Sequence, residues 1–159
     1  MEELLELIEQ DCTLPVEAMA SALGMSVEDA KRDIKKWEDD RVILGYQAVV
    51  DWSQLRKDAV TALIEVKVTP QSFSGFDRIA ERIYQYDEVE SMYLMSGAFD
   101  LAVIVEGESL RDVARFVSEK LSTLDGVTAT ATHFILKKYK EKHLVLRPQE
   151  PEEREYIFT

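Results

Sequence analysis

Leu14 to Tyr46, LPVEAMASALGMSVEDAKRDIKKWEDDRVILGY, decides how the first third of the chain folds. Pro15 suits the first turn of a helix, where a missing N–H costs nothing, and Val16, Met19, Ala20 and Leu23 then recur at helical spacing. Gly24 can take the left-handed conformation that closes a helix. Ser26 is a good N-cap for a second helix, with Asp29 at its third position. In that helix Val27, Ala30, Ile34 and Trp37 make one apolar stripe and leave Glu28, Lys31, Arg32, Lys35 and Lys36 off it. Small Ala20 lets the two helices cross closely. The order of cap, stripe, glycine turn, cap and stripe is that of a helix-turn-helix; a plain helical hairpin is the alternative. Lys31 and Lys35, like Arg32 and Lys36, lie four apart and so adjoin on one helical edge, which is either a phosphate-facing surface or a solvated charged face.

The charge balance opposes the first of these. The chain of 159 residues has a formal charge of −12, and residues 1–46 set five cations against twelve carboxylates, a formal −7. Such a field repels DNA at long range, so binding by a single unit should be weak and salt-sensitive. Glu28 can accept a hydrogen bond from cytosine, whereas Asp29 reads more simply as a charge suited to a helix N-terminus.

With 46% hydrophobic residues the chain can bury a substantial core. It has no apolar run near the roughly 20 residues that span a bilayer, and its acidic start lacks a secretory pattern, so a cytoplasmic location is expected. Cys12, the sole cysteine, allows no disulfide or thiolate zinc cluster within the chain and is expected to serve packing or to be merely tolerated. There is no phosphate loop, HExxH or G-x-S-x-G. Neither His133 nor His143 has metal-ligand spacing, so no catalytic residue, metal or cofactor is expected.

After Tyr46 the period changes. GYQAVVDWSQL reads as a strand and connector ending the first unit near Asp51, and AVTALIEVKV is an alternating strand with Val60, Ala62, Ile64, Val66 and Val68 on one face. Phe76, Ile79, Ala80 and Ile83 form a helical stripe. Strands follow over Val89 to Met95 and Phe99 to Val105, joined at Ser96-Gly97-Ala98. Leu110, Val113, Ala114, Val117, Leu121 and Leu124 form a second helix, and Val127 to Lys138 a last strand. The class is therefore α+β: a winged-type helix-turn-helix domain at 1–46, a connecting strand at 47–58, a ferredoxin-like βαββαβ domain at 59–142 with an antiparallel sheet, and a tail at 143–159. The sheet face away from the helices is expected to present Leu63, Met92, Leu94 and Leu101. That much apolar surface argues for burial against a second subunit. In the tail, Tyr156-Ile157-Phe158 can either end a disordered segment or dock on a neighbouring subunit.

Together, the short N-terminal helix, the helix-turn-helix with its VILGY exit, the extended connector, SGAFDLAVIVE and the closing TATATHFILKKYK resemble the Lrp/AsnC (feast/famine) family of transcription regulators, over about Glu3 to Lys142. The resemblance implies a sequence-specific regulator of double-stranded DNA. It also implies a homodimer built through the effector domains, a higher homo-oligomer such as a tetramer or octamer, and a small amino acid as effector between neighbouring dimers. Carried over residue by residue, it points to Met95, Ser96, Gly97, Ala98, Phe99 and Asp100, with Thr130 and Thr132 from the last strand. Gly97 lets backbone groups approach a ligand, and Asp100 and Ser96 suit an ammonium or carboxylate; alternatively, Asp100 only holds the turn. On the DNA side the expected contacts are Lys31, Arg32 and Lys35, helped by Ser26, Lys36 and Glu28. Two other classes stand beside this reading: an amino-acid-sensing or partner module without DNA binding, favoured by the acidic first unit, and a siroheme decarboxylase-like enzyme, disfavoured because only His133 and His143 are available.

Overall fold

A computed structural model describes residues 2–56, 58–69 and 74–146. The chain divides into two compact units, with the boundary in sequence between Val49 and Val50.

The first unit holds α1 (Glu2–Gln10), α2 (Val16–Leu23) and α3 (Val27–Asp39). Leu4 and Ile8 of α1, Met19 and Ala20 of α2, and Ala30 and Trp37 of α3 form its buried core. Ala20 and Ala30 are both essentially inaccessible, the small-residue contact that a close helix crossing needs. Gly24 ends α2 at φ 64, where an L side chain is strained, and Ser26 caps α3 by accepting from the Asp29 N–H. Both ends of the turn are thus encoded locally.

The second unit is a four-stranded antiparallel sheet in the order β2-β3-β1-β4, built from β1 (Val60–Val68), β2 (Val89–Leu94), β3 (Leu101–Gly107) and β4 (Val127–Phe134). The helices α4 (Ser74–Ile83) and α5 (Leu110–Phe116) supply the rest of the core, with Ile79, Ile83, Val113 and Phe116 buried together with Ala62, Ile64, Val66 and Val68. This is the ferredoxin-like arrangement. A π-helical turn over Val117–Leu121 follows α5 and buries Leu121.

Register corrects the expected outer face. In an antiparallel pair, directly opposed residues share a face. Leu94 is opposite Leu101, Met92 opposite Val103, and Val103 opposite Ile64 of the core. Met92, Leu94 and Leu101 therefore lie on the helix-covered side; Leu101 is 1% exposed and Met92 packs on the core. Of the expected set, Leu63 alone lies on the outer face. It is joined there by Ile104, Ala102, Tyr93 and Ala131, and by a Glu65–His133 pair at 3.2 Å.

Two further expectations change. No strand forms over 45–55, and a 3-10 turn occupies Trp52–Gln54, because the segment has no ladder partner among the described residues. The last long strand stops at Phe134, short of Lys138, and a small hairpin, β5 (Lys140–Glu141) with β6 (Leu144–Val145), follows. Cys12 is exposed, which agrees with the tolerated alternative and not with packing. The expectations for Tyr156, Ile157 and Phe158 lie outside the described residues.

Candidate nucleic-acid interface and effector loop

Helix α3 advances about 100° per residue, so with Ala30, Ile34 and Trp37 turned inward, Arg32 stands at the crest of its outer face. Glu28, Lys35 and Lys36 flank it, and Lys31 lies nearer α2. The expected cations are therefore brought together on one accessible surface, with side chains 60–73% exposed. Each is also engaged by a carboxylate. Lys31 reaches Glu17 of α2 at 3.1 Å, Arg32 holds Asp29 and, at 3.3 Å, Asp33, Lys35 reaches Asp39 at 3.3 Å, and Lys36 reaches Asp40 at 2.7 Å.

These pairs leave a titration signature. The Ser26 hydroxyl first and Arg32 second hold the Asp29 carboxyl below its usual range, while hydrogen bonding to Asp29 raises Arg32 and hydrogen bonding to Asp40 raises Lys36. Being exposed, such pairs contribute little to stability and exchange readily. Phosphates can replace the carboxylates, at the expense of the pairs they displace. Ser26 has its oxygen committed to the Asp29 N–H and its hydroxyl donated to Asp29 Oδ2 at 2.7 Å, so it acts first as a cap. Tyr46 of the exit segment donates to Glu38 at 2.9 Å.

In the second unit Met95, Ser96, Gly97 and Ala98 are exposed, and Phe99 and Asp100 are half-buried. The Met95 N–H donates to the Asp100 carbonyl at 2.8 Å and the Asp100 N–H to the Val66 carbonyl at 3.0 Å. One carboxylate oxygen of Asp100 accepts from the Val68 N–H at 2.8 Å. Asp100 thus ties the loop to the end of β1, which is the turn-holding alternative. Gly97 is different. It has no left-handed φ, and a Cβ built on it meets nothing within 4 Å, so nothing in its own chain demands glycine there.

Thr130 and Thr132 do not join this loop within one chain. They pair with Val66 and Ile64, and β1 lies between β4 and β3, which sets them two strand spacings, about 10 Å, from the β3 end of the loop. Both share the helix-side face, and Thr130 shares a hydrogen bond at 3.3 Å with Ser122. A cavity of about 110 Å³ adjoins the loop strands, lined by Phe76, Asp77, Tyr84, Met92, Leu94 and Leu101 among others.

Residues 61–145 match the family model of the Lrp/AsnC ligand binding domain. An HTH-type transcriptional regulator of Bacillus subtilis, YugG, is 48% identical over 153 residues, covering 96% of this chain and 92% of the relative. The chain belongs to the Lrp/AsnC family. Among solved structures, Lrp/AsnC-type architecture recurs in Escherichia coli AsnC (TM-score 0.68, 20% identity, 94% of this chain and 95% of that one). It recurs also in a transcriptional regulator of Neisseria meningitidis in complex with L-Met (TM-score 0.72, 19% identity, 87% and 89%). The Lrp/AsnC chain is accordingly a helix-turn-helix transcriptional regulator with a ligand-binding domain, and the decarboxylase alternative is set aside. Its two histidines fit that outcome: His133 is paired with Glu65 on the outer sheet face, and His143 sits at the turn of the exposed hairpin. Among the described residues, no helix is long and apolar enough to cross a membrane.

Proposed function

We propose that this Lrp/AsnC regulator reads double-stranded DNA in the cytoplasm with α3, through Lys31, Arg32 and Lys35 aided by Lys36, Ser26 and Glu28. A small amino acid held at Met95–Asp100 controls its assembly or its DNA binding. The observation that carries the effector half is Gly97, a glycine that neither backbone conformation nor crowding in its own chain requires, on an exposed loop that Asp100 fixes in place. Open space there suits close approach by an external group. Neither the adjoining cavity of about 110 Å³ nor a larger one of about 520 Å³ between β3 and α5 is lined by Met95–Asp100, which favours an effector site completed by another subunit. Thr130 and Thr132 then belong to the neighbour's contribution.

Assembly has a second support. The exit segment exposes Val42, Leu44 and Tyr46, the connector Val49, Val50, Trp52 and Leu55, and the outer sheet face Tyr93. A homodimer, and a tetramer or octamer beyond it, would cover such surface. It also offsets the unfavourable field of the first unit, because several reading heads on one body raise the effective concentration of each after the first engages.

The test is a two-stage one. DNA selected by the protein from a random-sequence pool is used in gel-shift titrations, while the common amino acids are screened for a rise in Tm and any hit is followed by mass measurement with and without it. A selected sequence plus one amino acid that shifts both Tm and assembly supports the whole reading. An amino-acid response with no selected sequence would support the partner-module reading, which the carboxylate-paired cations and the −7 charge of residues 1–46 favour.

A further inference from the structure

Helix α3 closes in a full Schellman motif: the Val42 N–H donates to the Trp37 carbonyl at 2.8 Å and the Arg41 N–H to the Glu38 carbonyl at 3.1 Å. The residue at the left-handed position of this motif is Arg41, at φ 57. Glycine is the usual occupant because an L side chain there sets Cβ against the following carbonyl. Fifteen residues before the end of α3, the same conformation is met by the expected residue, Gly24 at φ 64. The first unit thus meets one left-handed cap with glycine and the other, at the end of α3, with arginine; the left-handed Lys142 and His143 lie in the small hairpin of the second unit.

We infer that Arg41 is a DNA-backbone contact, a fixed cation set against the phosphate row at the C-terminal end of α3. Two independent observations support this beyond the strained backbone. First, among the described residues of the first unit, Lys31, Arg32, Lys35 and Lys36 are all held by carboxylates, whereas Arg41 is exposed and makes no ion pair. It can meet a phosphate without giving up a partner. Second, the 13 residues of α3 span about 20 Å, longer than the roughly 12 Å width of a major groove, so a helix lying in that groove brings its end to the flanking phosphates. Glu38, Asp39 and Asp40 crowd that end and would repel the phosphates; Arg41 is the adjoining cation that can bridge the approach. A purely structural role is also physically sensible, since a cation beside a helix C-terminus is favourable. The two roles separate cleanly in measurement.

The inference rests on the DNA-reading proposal and is tested with DNA selected by the wild-type protein from a random-sequence pool. Arg41→Gly relieves the left-handed strain and is expected to raise Tm by roughly 1–3 °C, yet to weaken DNA binding by about tenfold. The slope of log K against log salt should become shallower by about 0.9 per reading head. Arg41→Lys keeps the charge and should retain most of the affinity with little change in Tm. Arg41→Gly with unchanged affinity and salt slope, in a protein whose wild type does select DNA, overturns the assignment and leaves the cap role alone. A wild type that selects no sequence overturns the DNA-reading proposal and this one with it.

Discussion

Helix α3 and the Met95–Asp100 loop are both exposed and both face a ligand in the reading proposed here, but they are prepared for it in opposite ways. The helix is electrostatically satisfied: each of Lys31, Arg32, Lys35 and Lys36 has a carboxylate within 3.3 Å. The loop is geometrically fixed but open, anchored by Asp100 on Val68 and leaving Gly97 in free space. A surface of the first kind exchanges partners on binding, so its affinity is set by competition between its own carboxylates and the incoming phosphates. A surface of the second kind gains contacts without losing any. DNA affinity should therefore answer to charge substitutions in α3, and effector response to volume at Gly97.

The largest effect is expected from Arg32→Glu, at the crest of α3. It should lower affinity for selected DNA by about a hundredfold or more in gel-shift titration, with mass measurement showing the same assembly as wild type. Unchanged binding would remove Arg32 from the interface. Next, Gly97→Leu should abolish the amino-acid-induced rise in Tm while leaving the unliganded Tm within about 1–2 °C of wild type, since the added Cβ meets no neighbour. A retained response would move the effector away from this loop.

Opposite in sign is Asp39→Asn with Asp40→Asn. Removing the carboxylates that hold Lys35 and Lys36 should strengthen DNA binding by about three- to tenfold at low salt, and the gain should fade as salt rises. No gain would mean that the pairs do not compete with phosphate. Smaller still is Asp100→Ala, which leaves the Val68 N–H without its acceptor and should cost about 1–2 kcal/mol in denaturant unfolding of the second unit; Asp100→Asn, which keeps an acceptor oxygen, should cost less.

The least effect is on pH. Asp29 and Glu88 are both held below their usual values, Asp29 first by Ser26 and Glu88 first by Lys120. A depressed carboxylate contributes stability that is complete above its unfolded value and is lost as pH falls through its folded one. Tm should therefore be flat above about pH 5 and decline below about pH 4. Protonation should also free Arg32, so any change in DNA affinity over that range should be an increase.

Much of this was legible without coordinates where the signal is local. Gly24 and Ser26 specify the turn between α2 and α3 through backbone conformation and capping, and the 3.6-residue period of Val27, Ala30, Ile34 and Trp37 specifies which side of α3 is buried. The alternation in Val60 to Val68 likewise specifies the core side of β1, and the order of elements specifies the sheet. The family resemblance located the loop at Gly97, which composition alone would not have distinguished from any hairpin turn.

What only the tertiary structure decided is pairing. The outer sheet face was misassigned because face is set by register, and the period of two in β2 and β3 is the same whichever side a residue takes; Leu94 opposite Leu101 and Met92 opposite Val103 resolve it. Ion pairing between Lys31 and Glu17 joins residues on two helices, and the Asp100–Val68 bond joins residues 32 apart in sequence. The left-handed Arg41 was hidden for a related reason: sequence marks such a turn by a glycine, and here an arginine occupies the left-handed position. Sequence by itself determined the main helices, the four strands of the large sheet and the family, because capping and periodicity act between near neighbours. Tertiary structure decided which charges are already spoken for, because a Coulomb partner is chosen by distance in space.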